Sequence, residues 1–134
     1  MTVRLLDWSF AELTFLRKRG QSTDYEFDLV AGIAGGLVEP LDVTGATVEF
    51  RVMGPVDPAR SVQDVALVIA GTATVRAGEI ATSGRMRYTP SGVELELVGE
   101  YLAEAWVQRG SVIDKVPHGD SYWRVVVGQD ARAS

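Results

Sequence analysis

A two-residue alternation of side chains begins after Gly99 and points to a fold built from β-strands. One side of this segment carries Tyr101, Ala103, Ala105 and Val107, and the other carries Leu102, Glu104, Trp106 and Gln108. A period of two is typical of a half-buried strand, because successive side chains of a strand point to opposite faces. Arg109-Gly110-Ser111 favours a tight turn, and residues 112–116 lead back as a partner strand. The segment therefore predicts a β-hairpin.

A third strand is predicted from Tyr122 to Val127, after a tight connection at Pro117-His118-Gly119-Asp120. Its residues are largely β-branched or aromatic, which suits a pleated and half-buried surface. Trp123 is in phase with Val125 and Val127, so we expect it in the core. The three strands together predict a meander at the end of the chain.

Earlier segments show the same alternation with equally clear inward sides. The inward residues are Tyr25, Phe27 and Leu29 in residues 24–30, Val48, Phe50 and Val52 in residues 46–53, and Met86 and Tyr88 in residues 84–89. Within residues 61–76, the run VALVIAGTATV is apolar without clear alternation and suits a buried strand, a bulged pair or a short helix. We interpret it as two short strands around Gly71-Thr72. Residues 31–39 contain three glycines and predict a loop. About seven to nine short strands without a helix favour an antiparallel β-sandwich.

The length of 134 residues indicates a single domain with an additional segment at each end. We assign residues 1–19 to an N-terminal arm and first strand, residues 20–128 to the β-sandwich, and residues 129–134 to a C-terminal tail. The arm is rich in apolar side chains, namely Leu5, Leu6, Trp8 and Phe10. Such a segment requires a partner surface. It either covers the edge of its own sheet or docks on a neighbouring subunit.

Composition excludes several classes of partner. The formal net charge of -5 argues against nucleic acid, because phosphate binding requires a basic face. No apolar run approaches the roughly 20 residues that a membrane-spanning helix needs, and the N-terminus lacks a signal-peptide pattern. Cysteine is absent, so disulfides and thiolate chemistry are excluded. These features predict a soluble protein made in the cytoplasm.

Catalytic and metal-binding patterns were sought and give no site. The single histidine, His118, lies near Asp114 and Asp120, and a polar surface turn explains the three residues better than a metal site or a catalytic triad. Asp24, Glu26 and Asp28 present carboxylates on one side of a strand, but this pattern lacks the looped carbonyls of a calcium shell. We therefore predict no catalytic, metal or cofactor-binding residues.

The outward side of the Gly99 segment places a large aromatic, Trp106, on the same side as Leu102. An exposed aromatic of this kind is a natural anchor for a protein partner. Together with the four apolar residues of the arm, Leu102 and Trp106 are the predicted protein contacts. Two alternatives remain open, namely a β-bulge that reverses the side-chain direction and an N-terminal arm that covers both residues.

Five motifs follow one another along the chain. They are RGQSTDYEFDLV (19–30), LDVTGATVEFRV (41–52), GRMRY (84–88), GEYLAEA (99–105) and Pro117 before the last strand. Together they resemble the N-terminal domain of the phage upper baseplate protein and the small tailed-phage virion proteins similar to it. The resemblance implies an immunoglobulin-like β-sandwich in which the second and fourth motifs lie on neighbouring strands. Tyr101 then takes the place of the tyrosine that anchors a sandwich corner through a hydrogen bond to the backbone.

The resemblance also implies a function. It predicts a non-enzymatic structural protein of a tailed-phage virion, whose partners are copies of itself in a symmetric ring or lattice and other virion proteins. Baseplate, tail, neck and head decoration are all compatible locations. Two alternatives belong to other classes: a carbohydrate- or host-surface-binding module, which would use exposed aromatics, and a small-ligand barrel or enzyme, which would need a polar pocket.

Overall fold

The chain forms an all-β, sandwich-like fold, as predicted. The computed structural model describes residues 9–18, 23–32, 38–56, 66–90, 95, 97–117 and 121–128. Across these residues there are ten β-strands and one turn of 3₁₀ helix, Ala81–Ser83. The strands are β1 Ser9–Lys18, β2 Tyr25–Asp28, β3 Val30–Gly32, β4 Val38–Pro40, β5 Thr47–Met53, β6 Leu67–Val75, β7 Arg85–Tyr88, β8 Gly99–Arg109, β9 Val112–Val116 and β10 Ser121–Gly128.

Eight of these strands belong to one strongly curved sheet. Its order is β1-β10-β8-β5-β6-β7-β2, with β9 paired to β8, while β3 and β4 form a separate ribbon. The sheet nearly closes into a barrel, since β1 and β2 approach each other at its two ends. Phe15 of β1 meets Tyr25 of β2 edge to face at 5.3 Å between ring centroids. Arg17 donates hydrogen bonds to the carbonyl oxygens of Thr23 and Asp24.

The core contains the residues that alternation predicts to face inward. All eight predicted residues of β5, β7 and the segment Tyr25–Leu29 are buried, and so are Trp123, Val125 and Val127. Phe50 lies at the centre of an aromatic cluster. Its ring centroid is 5.0–5.9 Å from those of Phe15, Tyr25, Phe27 and Tyr88.

Strand pairing at the end of the chain differs from the predicted meander. β10 pairs with β8, and so does β9, on the same side of that strand. β9 lies beside Ala105–Arg109 and β10 beside Gly99–Ala103, so the two run in line along β8. β1 pairs with β10 in a parallel arrangement, whereas the prediction was fully antiparallel. Alternation shows which face of a strand is buried, but it carries no information about the neighbour on each edge.

Residues 67–75 form one strand and not the two predicted around Gly71. The glycine serves close packing here: a Cβ atom at Gly71 would lie 2.4 Å from Cε1 of Tyr88. Residues 31–39, predicted to be a loop, contain parts of β3 and β4. These short strands do not alternate in a recognisable way, because three-residue strands are too short to show a period.

Tyr101 forms the corner that the resemblance implies. Its hydroxyl donates a 2.7 Å hydrogen bond to the carbonyl oxygen of Leu97, four residues upstream. The ring packs on Gly54, where a Cβ atom would lie 2.6 Å from Cδ2 of the tyrosine. Burial raises the pKa of the Tyr101 hydroxyl, because the phenolate would be poorly solvated.

We expect Tyr101→Phe to lower the free energy of unfolding by about 1 kcal/mol, since it removes one buried hydrogen bond. The raised pKa favours the protonated form in the folded state. The stabilisation that the Tyr101 hydroxyl provides is therefore complete below the pKa of about 10 that it has in the unfolded chain. This stabilisation is lost as pH rises above that value. Urea unfolding at pH 7 and pH 11 measures both effects. A difference between variant and parent that does not shrink at pH 11 would contradict this assignment.

The turn before β5 is organised by Asp42. Its Oδ1 accepts hydrogen bonds from the backbone nitrogen of Thr44, at 2.9 Å, and from the Thr44 hydroxyl, at 2.6 Å. The hydrogen bonds from the Thr44 hydroxyl and the Thr44 backbone nitrogen lower the pKa of the Asp42 carboxyl; burial opposes them in part, and the charge of Arg109 adds a still smaller lowering. Arg109 also donates to the Asp42 carbonyl oxygen, which ties this turn to the end of β8.

This turn predicts a loss of stability in acid. A lowered folded-state pKa means that the carboxylate stabilises the fold above its unfolded pKa of about 4, and that this stabilisation disappears as pH falls through the folded value. Asp42→Asn removes the titrating group and keeps an acceptor oxygen. We expect the melting temperature of the variant to fall less than that of the parent between pH 5 and pH 3; equal decreases would show that Asp42 makes no such contribution.

Candidate protein-contact surface

The outer face of β8 carries the residues predicted for partner contact. Leu102, Glu104 and Trp106 point away from the core, because Tyr101, Ala103, Ala105 and Val107 occupy the inner face. β5 and β9 flank this part of β8 on opposite sides, and Trp106 lies directly between Glu49 of β5 and Lys115 of β9. Its surroundings are thus set by three strands.

A buried carboxylate fixes the Trp106 ring. The indole nitrogen of Trp106 donates a 2.9 Å hydrogen bond to Oε2 of Glu104, whose residue is only 6% exposed. Arg51, opposite Glu104 on β5, places its Nε 3.9 Å from the same oxygen. The Arg51 guanidinium also donates to Glu49 Oε1 at 2.6 Å. A buried carboxylate requires such partners, because burying an uncompensated charge is costly.

Two cations approach the Trp106 ring. Cζ of Arg51 lies 4.0 Å from the ring centroid, and Nζ of Lys115 lies 4.9 Å from it. Each cation–π contact stabilises the arrangement by about 0.5–2 kcal/mol, depending on its exposure to solvent. The result is an aromatic side chain held in one orientation, half-buried in the sheet surface. We call Glu49, Arg51, Glu104, Trp106 and Lys115 the Trp106 cluster.

The predicted contact residues occupy different environments. Trp106 is half-buried and keeps part of its surface open to solvent. Leu102 is on the same face, as predicted, but it is 0% exposed and is therefore not part of the surface. Leu5, Leu6 and Trp8 lie outside the described residues. The backbone of Phe10 belongs to β1, opposite Tyr122 of β10, while its side chain is outside the described part.

Sequence reasoning missed the apolar residues of β9. Val112 is 59% exposed and Ile113 is 45% exposed, although they lie on opposite faces of the strand. Val112–Lys115 are all exposed, and Val116, the last residue of β9, packs partly against the core. The sequence signal is weak, because Val112-Ile113-Asp114-Lys115-Val116 has no alternation.

Two acidic residues, Asp24 just before β2 and Asp28 at its end, pair with arginines. Asp28 forms an ion pair with Arg76, and Asp24 Oδ2 lies 3.7 Å from Nε of Arg87. Arg76 also donates to the carbonyl oxygens of Met86 and Phe27, at 3.2 Å each, and so bridges β7 and β2. These carboxylates therefore hold strands together at the surface.

The described residues do not form a metal site or a ligand cavity of typical size. No group of three histidine, cysteine or acidic side chains suited to a metal ion occurs in the described residues. His118 and Asp120 lie outside them, so the His118 turn stays a prediction. No helix with the length and apolar character to cross a membrane is found in the described ranges. A cavity of about 150 Å³ lies between Leu29, Pro40 and Arg85, which is below the roughly 300 Å³ of typical ligand sites.

Comparison with known proteins gave no relative: no protein-family model matches the chain, and a search of curated proteins found no match.

Proposed function

We propose that this chain is a non-enzymatic structural protein of a tailed-bacteriophage virion, and that it assembles with copies of itself and with other virion proteins. The observation that carries the proposal is the Trp106 cluster. A tryptophan that is partly buried and partly open to solvent, fixed by Glu104 at 2.9 Å and flanked by two cations, has the properties of an interface anchor. Tryptophan and arginine are enriched among the residues that dominate binding energy, and an oriented side chain loses little entropy on binding.

The pairing of β5 with β8 supports the same proposal. These strands carry two of the five motifs on which the resemblance to baseplate-type proteins rests, and they are hydrogen-bonded neighbours from Thr47 to Met53. The resemblance implies this adjacency. In such an assembly each contact between copies is modest, and ring or lattice symmetry combines the contacts into a stable structure.

The carbohydrate-binding alternative is less well supported by the geometry. A sugar stacks on an open aromatic face, whereas the Arg51 guanidinium occupies a position 4.0 Å from the Trp106 centroid. A sugar on that face would have to displace the guanidinium and break its contact with Glu104. Glycan binding by the isolated chain would nevertheless favour this alternative over assembly.

Light scattering with size-exclusion chromatography tests the proposal. We compare the full chain with a form that lacks residues 1–8, which leaves β1 intact, and we measure binding of each to virion proteins. We expect the full chain to self-associate or to bind a virion component, and the shortened form to do so more weakly. Monomers in both cases, with no binding to any virion component, would disprove the proposal.

A substitution at Trp106 tests the proposed anchor. We expect Trp106→Ala to weaken association at least about 30-fold, the effect of losing about 2 kcal/mol at a hot spot. The chain should remain folded, with a loss of at least about 1.5 kcal/mol from the indole hydrogen bond and the two cation–π contacts. Ile80→Ala, at a residue that is 67% exposed and outside the Trp106 cluster, is the control and should change neither quantity appreciably. Unchanged association of folded Trp106→Ala would show that Trp106 is not a contact residue.

A further inference from the structure

β9 has an edge that no described strand covers. It pairs with β8 on one side, and the described residues provide no partner on the other. Natural proteins usually protect such edges with proline, charge or a bulge. Residues 112–116 contain no proline, and their pairing with β8 continues without a shift of register. Lys115, which would otherwise guard the edge, holds its ammonium group 4.9 Å from the Trp106 centroid.

The turn between β8 and β9 determines which backbone groups point outward. Arg109 and Val112 face each other across a two-residue turn, and Gly110 has the positive φ of 59° that such turns favour at this position. The residues that flank a two-residue turn exchange hydrogen bonds, and hydrogen-bonded pairs alternate with non-bonded pairs. Val112, Asp114 and Val116 therefore bond to β8. Ile113 and Lys115 direct their N–H and C=O groups toward the open edge.

The two ends of the large sheet face each other. β1 and β2 contact each other there through the Phe15–Tyr25 ring pair and the hydrogen bonds of Arg17. In the described part of the sheet, open edges remain along β9 and along β6 before Thr74, because β6 pairs with β7 only at Thr74 and Val75. β9 exposes Val112 and Ile113, which add apolar surface on both faces next to the free backbone groups.

We propose that two copies of this chain pair antiparallel through β9 and form one continuous sheet across a two-fold axis. A two-fold axis perpendicular to the sheet leaves the outer faces of both copies on the same side of the continuous sheet. Residues that lie opposite each other must then point to the same side, so the residue at the axis lies opposite its own copy. If the axis passed beside Asp114, two carboxylates would lie directly opposite each other, which is unfavourable. With the axis beside Ile113, the two Ile113 side chains meet and their outward backbone groups pair.

The register at Ile113 also suits the neighbouring residues. Ser111 then faces Lys115 of the second copy, and Val112 faces Asp114, so no like charges are opposed. Asp114 keeps its neighbour Arg109 at 3.9 Å within its own chain. The pairing lies next to Trp106, because Lys115 is opposite Trp106 on β8. This inference rests on the proposed function, and it identifies one contact through which the chain assembles with itself.

Single cysteine variants test the pairing and its register, because the chain has no cysteine of its own. Residues in a hydrogen-bonded antiparallel pair have Cα atoms about 5.5 Å apart, within the range of a disulfide. We expect Ile113→Cys to form a disulfide-linked dimer under mild oxidation at least about tenfold faster than Leu16→Cys, a control on β1 that is 77% exposed. Asp114→Cys should react no faster than this control.

Each other outcome overturns the proposal. Faster linking through Asp114→Cys contradicts the register, and equal rates for Ile113→Cys and Leu16→Cys contradict pairing through β9. If Ile113→Cys links only after residues 1–8 are removed, that segment and not a second copy occupies the edge.

A charge substitution separates this inference from the proposed function. Ile113→Lys places two like charges across the axis and should raise the dimer dissociation constant at least about tenfold without lowering the melting temperature, since Ile113 is half-exposed. Unchanged association of Ile113→Lys would refute pairing through β9 and leave the proposed function standing. A chain that neither self-associates nor binds a virion component would refute both.

Discussion

Replacing Phe50 by alanine is expected to lower the free energy of unfolding by about 3–5 kcal/mol, the usual cost of removing a buried phenylalanine. Phe50 is 0% exposed, and its ring touches four other aromatic rings from β1, β2 and β7. Those rings come from strands on both sides of the core, so a cavity left at this point cannot be filled by one small movement. The melting temperature should fall by more than about 10 °C.

Chemical denaturation of Phe50→Ala and Phe50→Leu measures this effect. The leucine variant keeps most of the buried volume, so its loss should be clearly smaller than that of the alanine variant. Ile80→Ala, at a residue that is 67% exposed, provides the surface control and should change stability by no more than about 0.5 kcal/mol. A loss at Phe50→Ala of less than about 1.5 kcal/mol would contradict the central position of this ring.

Gly84→Ala is the second substitution with a large expected effect, and it should lower the free energy of unfolding by about 2–5 kcal/mol. Gly84 has a φ of 68°, a conformation that costs other residues about 1–2 kcal/mol. A Cβ atom there would also lie 2.5 Å from the carbonyl oxygen of Leu29 and 2.9 Å from that of Leu41. Both are backbone atoms, and the Leu29 oxygen accepts a hydrogen bond from the Leu41 nitrogen. Relief therefore requires a shift of the chain, which adds about 1–3 kcal/mol.

Gly78→Ala separates these two causes. Gly78 has a similar φ of 83°, but no atom lies within 4 Å of the position that a Cβ would take. We therefore expect the Gly78 variant to lose only the conformational part, about 1–2 kcal/mol. Equal losses at the two glycines, measured by denaturant unfolding, would show that the contacts with Leu29 and Leu41 are unimportant.

The candidate contact surface was only partly predictable. Alternation correctly placed Leu102 and Trp106 on the outer side of β8, but it could not show that Leu102 is covered while Trp106 stays half-open. The partners of Trp106 come from β5 and β9. Arg51 is 55 residues away from it in the sequence, and Lys115 is 9 residues away. Local patterns contain no information about such pairs, because they depend on which strands become neighbours.

The sequence alone determined the strands that show clear alternation, together with their buried faces. Tyr25, Phe50, Met86 and Tyr101 all face the core as the two-residue period requires, because a strand has only two faces and burying the apolar one is strongly favourable. Which strands become neighbours was decided only by the tertiary structure. β1 runs parallel to β10, β9 and β10 both pair with the same side of β8, and β9 has an open edge at Ile113. Backbone hydrogen bonds make these pairings. Since every residue except proline carries the same donor and acceptor, the identity of the side chains does not by itself select the partner.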